Sequence, residues 1–274
     1  MDKTDLTTSV SNINTVNIFG VRIHALTIAE LHQIIAEVIQ NDQRALVLNV
    51  NVHALNLANK HPWLRDALNE AEIVFCDGAG VIFGAQLLGQ QIPERITYAD
   101  WFWQLGELAE ANGYSMYFLG AKPGIAKKAA EIMIQRFPRL KIIGTHNGYF
   151  DKTSSSAENE AVIHEINSLS PDILTVGMGM PLQERWLHEN WDKLNVHVGL
   201  AGGAVFDYIS GELKRAPTWM NNNGLEWLGR LAIEPRRLWH RYLIGNPLFI
   251  GHILGERFLG YRTPRASSRD RYIF

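Results

Sequence analysis

Six apolar runs of strand length punctuate the chain up to about residue 203: ALVLNV (45–50), EIVFC (72–76), YSMYFLG (114–120), LKIIGTH (140–146), DILTVGMG (172–179) and VHVGLAGG (196–203). Segments of helical period separate them. Uninterrupted apolar strands alternating with amphipathic helices are what βα units on a largely parallel sheet require, because both faces of such a sheet are covered. Upstream, VNIFGVRIHAL (16–26) also reads as strand, and Thr27-Ile-Ala-Glu30 forms a capping box that opens a helix to about Gln40. Further helices are predicted from Ala79 to Leu88, after Thr97 or Asp100 as caps, around Pro123 in a first turn, and over AVFDYIS (204–210). The alternation stops near Lys214. From Asn221 the chain reads as successive helices rich in Trp, Leu and Arg, broken by GNPL. The expected fold is therefore α/β, a Rossmann-like, largely parallel sheet flanked by helices. A catalytic body over 1–213 carries a C-terminal α-helical appendage over 214–274.

Charge sharpens this division. The formal net charge is −2, but residues 214–274 hold 11 Lys/Arg against 4 Asp/Glu, a balance of +7, which leaves −9 on the rest. A basic appendage on an acidic body points to an anionic partner: nucleic acid, a phospholipid surface or a diphosphate. Its best apolar stretch, YLIGNPLFIGHILGERFLGY (242–261), contains Asn246, Pro247, His252, Glu256 and Arg257, too polar to span a bilayer. Leu238, Trp239, Tyr242, Leu243, Leu248, Phe249 and Ile250, with Arg236, Arg237 and Arg241, would suit a helix lying among headgroups, or a homo-oligomer interface. Cys76 is the only cysteine, so an internal disulfide and a cysteine-based zinc site are excluded. The N-terminal MDKTDLTTSV has neither the basic nor the apolar region of a leader, which leads us to expect a cytoplasmic location.

Ligands of parallel sheets bind beyond the carboxyl ends of the strands. Four such ends carry chemistry here: Asn49 and Asn51, Asp77-Gly78, Gly120-Ala-Lys-Pro-Gly124, and Gly177-Met-Gly-Met-Pro-Leu-Gln183. Asp77 is either a helix cap or a carboxylate made more basic by its apolar strand. Arg95 is either a diphosphate contact or a surface ion pair with Glu94 or Asp100. Gln183 offers a donor and an acceptor to sugar hydroxyls. Asp207, among apolar neighbours, needs a partner, with Lys214 or Arg215 as candidates beside a ligand. His53 is a competing base. A nicotinamide-dependent oxidoreductase is an alternative, but Gly78-x-Gly80-x-x-x-Gly84 has its third glycine one residue late, and its acid precedes the loop. A P-loop and a GxSxG elbow are both missing. No Asp-x-Asp pair, the usual holder of a diphosphate-bound metal, occurs anywhere.

The motifs LNVNVHALNLA, CDGAGVIFGAQLLG, PERITYAD, GMGMPLQERW, GLAGGAVFDYISGELKRAP and GLEWLGRLAIEPRRLWHRYLIGNP, in that order over about residues 45–250, resemble the WecG/TagA/CpsF glycosyltransferases of bacterial surface-polysaccharide synthesis. The resemblance implies inverting transfer of a hexose-type sugar from a UDP-sugar donor to a polyprenyl-diphosphate-linked acceptor, on the inner face of the cell membrane, with no cofactor, no metal and no nucleic acid. It implies Asp77 as catalytic base, Asn51, Arg95 and Gln183 as pocket residues, and Asp207 as a nucleotide-contacting acid; Asn49, at the first of the four strand ends, is taken as a further substrate contact. Arg230, Arg237 and Arg241 become diphosphate contacts from an appendage that is both membrane contact and active-site lid. Two departures stand out: Asn49 where the family often has Thr, and Tyr98 in place of a common glycine. A noncatalytic, membrane-bound assembly factor is the remaining alternative.

Overall fold

The computed structural model describes residues 10, 13–217, 220 and 224–259. Arg262, Arg265, Arg269 and Arg271, which supply part of the basic balance, lie outside the described residues.

The chain opens with a hairpin of β1 (Thr15–Ile18) and β2 (Val21–His24), paired antiparallel as a separate two-stranded sheet. The single strand-like run of the sequence therefore folds back on itself at Phe19-Gly20, where both residues take positive φ. Helix α1 (Ile28–Gln40) starts from Thr27, whose side chain accepts from the Glu30 backbone while the Glu30 carboxylate accepts from the Thr27 backbone N–H at 2.7 Å. After it come β3 (Ala45–Val50), α2 (Val52–Lys60), α3 (Pro62–Glu70), β4 (Ile73–Cys76), α4 (Ala79–Leu87) and α5 (Tyr98–Asn112). The second half adds β5 (Ser115–Gly120), α6 (Ile125–Arg136), β6 (Lys141–His146), α7 (Ala157–Leu169), β7 (Ile173–Gly177), α8 (Leu182–Asn190), β8 (Val198–Ala201) and α9 (Val205–Ile209). Pro123 falls in the turn ahead of α6 rather than in its first turn.

The six-stranded sheet runs β4-β3-β8-β7-β5-β6, every pair parallel. Strands β3, β4, β7 and β8 are buried along their whole length, which explains their unbroken apolar sequences. The chain leaves β3 toward β4 on one side, and β8 returns on its other side, so a topological switch point opens at β3. Asn49, Asn51, Asp77, Gly177 and Gly202 all come to the carboxyl edge around it.

The C-terminal helices are α10 (Glu226–Ile233), α11 (Pro235–Trp239), a π-helical turn (His240–Ile244) and α12 (Gly245–Leu259). Helix α12 packs on α2 and α4. The contact is close because α4 has Gly84 there: a Cβ would lie 2.6 Å from the Phe249 ring. Phe249 and Ile253 join the same apolar cluster as Val50, Leu55 and Val81 of the body. Phe249 also meets Phe19 of the hairpin edge-on at 5.5 Å, and Asn59 bonds His252 at 3.2 Å. Of the residues expected among headgroups, Leu238, Tyr242 and Phe249 are therefore buried, while Trp239, Leu243 and Leu248 stay exposed alongside Ile244, Leu254 and Phe258. Among the described residues no helix is long and apolar enough to cross a membrane.

Candidate active site

A cavity of about 750 Å³ lies between the carboxyl edge of the sheet and the C-terminal helices. Its floor comes from the body, through Asn49, Asn51, Asp77, Arg95 and the glycine turns after β7 and β8. Its roof comes from Glu226, Trp227, Arg230, Arg237, His240, Arg241 and Tyr242.

Asp77 follows β4, held by its own N–H donating to Val50 O at 2.8 Å. It does not cap α4. Gly78 occupies the cap position and no side chain bonds there, so the Asp77 carboxylate is left for the cavity. Asn49 Nδ2 donates to it at 3.3 Å. Burial, reinforced by Glu226 across the cavity, pushes its pKa up to about 6 against the pull of Arg230, Arg241 and Arg95. A carboxylate in that state is a stronger proton acceptor than free Asp yet remains largely ionised at neutral pH. His53, the competing base, also lines the cavity, but burial and the neighbouring Arg241 and His240 push it down to about 4, so it stays neutral.

Asn51 has two roles. Its side chain accepts from Ala54 N at 3.1 Å as the cap of α2, and it faces the cavity. Arg95 reaches the cavity, and the acids proposed as its surface partners are engaged elsewhere: Glu94 accepts from Ile28 N at 2.8 Å, and Asp100 is paired with Arg215. Gln183 lines the cavity, and its Oε1 accepts from Gly179 N at 3.1 Å and Gly203 N at 2.9 Å, which ties it to the protein's own loops.

Two expected site elements lie off the cavity wall. Asp207, at the start of α9, is not among the wall residues, and its expected partner Arg215 turns to Asp100 and Glu226. Burial raises Asp207, while Arg237 and Lys122 draw it down. The Gly120–Gly124 turn also lies outside the wall. Gly120 serves packing: a Cβ there would stand 2.2 Å from Gly177 O, which only a glycine avoids. Lys122 and Asp207 thus neighbour each other beside the cavity rather than in it.

The roof concentrates positive charge. Arg230 and Arg241 are half-buried, and the buried Nε of each has no hydrogen-bond partner among the described residues. Burial and the nearby Arg230 and Arg237 press Arg241 downward, offset in part by Tyr242 and Asp77. An arginine remains protonated even so, and cations held together without enough acids mark a place for an anion. Arg237 is more exposed and bonds Glu234 at 2.6 Å. Arg237 and Arg241 do converge, but across the junction of α11 with the π-helical turn rather than along one α-helical face. Among the described residues no three His, Cys, Asp or Glu side chains gather to hold a metal ion. Sequence reasoning passed over Glu226, Trp227, His240 and Tyr208 as wall residues, since nothing in their spacing ties them to Asp77.

The pattern of the glycosyl transferase WecG/TagA/CpsF family matches residues 16–263. An N-acetylglucosaminyldiphosphoundecaprenol N-acetyl-beta-D-mannosaminyltransferase of Bacillus subtilis (strain 168) is 31% identical over 178 residues, 65% of this chain and 67% of the relative. The protein of the same name in Staphylococcus aureus (strain NCTC 8325) is 28% identical over 232 residues, 83% and 88% of the two chains. The match takes in both the floor with Asp77 and the cationic roof, and the chain belongs to the WecG/TagA/CpsF family of glycosyltransferases.

Proposed function

We propose that the protein transfers a hexose-type sugar, of the N-acetylhexosamine class, from a UDP-sugar to a polyprenyl-diphosphate-linked sugar, with inversion at the anomeric carbon. The observation that carries this reading is the placement of one carboxylate of raised basicity opposite a group of arginines in a single cavity. Asp77 takes the proton from the acceptor hydroxyl as its oxygen bonds to the sugar's C1 and the bond from C1 to the diphosphate oxygen breaks. UDP departs with the bonding electrons. Arg230, Arg241 and Arg237, with Arg95 from the floor, neutralise the charge that accumulates on it. The names of the relatives support a lipid-linked acceptor bearing N-acetylglucosamine and a mannosamine-type donor sugar. The exposed Trp239, Leu243, Ile244, Leu248, Leu254 and Phe258 support attachment to the membrane surface that such an acceptor occupies, on its inner face. The oxidoreductase alternative falls with the family assignment.

The test incubates the full chain with a panel of UDP-sugars and a short-chain prenyl-diphosphate N-acetylglucosamine, alongside melting curves with UDP and with NAD. UDP should raise the melting temperature, NAD should not, and one UDP-sugar should yield elongated glycolipid. A protein that neither binds UDP nor extends the glycolipid would refute the reading and leave a noncatalytic assembly role.

A further inference from the structure

The turns after β7 and β8 form the cavity wall farthest from Asp77's own strand, and one side chain joins them. Gln183 Oε1 accepts from the backbone of both, at Gly179 and Gly203. Its Nε2 donates in turn to Glu184 Oε1 at 2.9 Å. Gln183 is 2% exposed and Glu184 is 0% exposed. Neighbouring residues in the first turn of α8 thus form a short relay: two glycine N–H groups, the Gln183 amide, the Glu184 carboxyl.

A buried acid with no ion pair among the described residues calls for an explanation. Burial raises the pKa of Glu184 to about 7, opposed by the bond from Gln183 and its own backbone N–H. Its second oxygen, Oε2, has no partner among the described residues. A leucine or methionine would fill the same space without the desolvation cost. What those residues lack is an acceptor for Gln183 Nε2. With that acceptor gone, a buried NH2 is left unsatisfied, at a cost of about 1–3 kcal/mol. The amide could recover it by swinging into the cavity toward water, and both glycine N–H groups would then be released.

We propose that Glu184 is a positioning residue: by accepting from Gln183 it holds the amide as a staple between the turns after β7 and β8, and so fixes the shape of the nucleotide-sugar side of the cavity. The assignment to that side rests on the transfer reaction proposed above; the staple does not. It needs only an acceptor, not a charge, so the protonated and ionised acids both serve.

Hydrogen exchange and UDP binding on the full chain, in wild type, Glu184→Gln and Glu184→Met, test it. The glutamine variant keeps an oxygen facing Gln183 Nε2 and should retain slow exchange at Gly179 and Gly203, with UDP affinity within about threefold. The methionine variant should keep its melting temperature, exchange faster at both glycines, and bind UDP about tenfold or more weakly, the scale of one lost buried hydrogen bond. A folded methionine variant with wild-type exchange and affinity overturns the proposal, as does a glutamine variant that loses both. If the methionine variant does not fold, Gln183→Glu against Gln183→Glu/Glu184→Gln decides. The double swap reverses the direction of the relay and keeps it, so its two glycines should exchange more slowly than in the single variant; equal rates overturn the staple. If wild type fails to bind UDP, the reading of function fails alone, since the exchange rates report the staple without any ligand.

Discussion

Floor and roof of the cavity are built on opposite terms. The floor stands on strands whose side chains are wholly buried, and it presents an acid whose position follows from a parallel sheet and a switch point. The roof stands on short helices that dock through Phe249 and Ile253 and leave Trp239, Leu243 and Leu248 in the open. On the proposed reading, base chemistry falls to the floor and most of the leaving-group charge stabilisation to the roof, so transfer would need both.

Removing the floor's contribution should have the largest effect. Asp77→Asn is expected to lower turnover by about 10² or more while UDP still binds, since loss of a general base is felt in the transition state. Near-normal turnover would move the base elsewhere and dissolve the contrast. On the roof, Arg241→Ala should weaken turnover by about 10-fold to 10²-fold, the range for one buried charge-assisted contact, and Arg237→Ala by less. The ranking follows from geometry: Arg241 is half-buried with its Nε unpartnered among the described residues, whereas Arg237 is largely exposed and shared with Glu234. Equal losses, measured as kcat/KM for the donor, would show that the roof is not graded by burial.

Phe249→Ala attacks the seam. Losing an aromatic packed against Gly84 and Phe19 should cost about 3–5 kcal/mol of docking, so the melting curve should split or shift down and transfer should fall with it. A single unshifted transition with full activity would mean the helices hold by other contacts.

Acidity separates the parts more gently. Asp77 must be ionised to accept a proton and its pKa lies at about 6, so kcat/KM should be flat above neutrality and drop about tenfold per pH unit well below 6. The sign for stability is opposite. An acid raised in the folded state favours folding when protonated, so Asp77's contribution is present below 3.8 and is lost as pH rises through about 6. A rate profile that instead climbs through about 4 would implicate His53. The smallest change is expected from EDTA, under about twofold, because guanidiniums already supply the charge at the leaving group. Strong inhibition reversed by manganese would place a metal in the roof's role.

Much of the floor was legible. Uninterrupted apolar strands, the Thr27 capping box and an acid at the end of β4 are local signals, written within a few residues of where they act. The hairpin was less so, because VNIFGVRIHAL carries no two-residue turn of the usual Asn-Gly kind; Phe19 itself adopts positive φ, held by burial against Phe249 and His252. The bonds of Gln183 to Gly179 and Gly203 were not legible, because those glycines come together only when β7 and β8 pair. Asp207 was drawn toward the site by its apolar neighbours and by the family resemblance, whereas the fold sets it off the cavity wall near Lys122. Nothing in a linear reading puts Glu226 across from Asp77, since that juxtaposition depends on how Phe249 seats α12.

The π-helical turn at His240–Ile244 has a consequence for how this part of the gene can vary. A π turn accommodates one residue more than an α turn. Deleting that one residue would let the turn close as α-helix and leave α12 on its bearing, whereas deleting one from the α-helix on either side would rotate everything downstream by about 100°. In the second case composition would hardly change, yet Phe249 would point away from Gly84 and the arginines would lose their bearing on the cavity. The helices beside the turn should therefore tolerate almost no change of length, and the turn itself one residue fewer: it is a reading frame in space with a single spare letter.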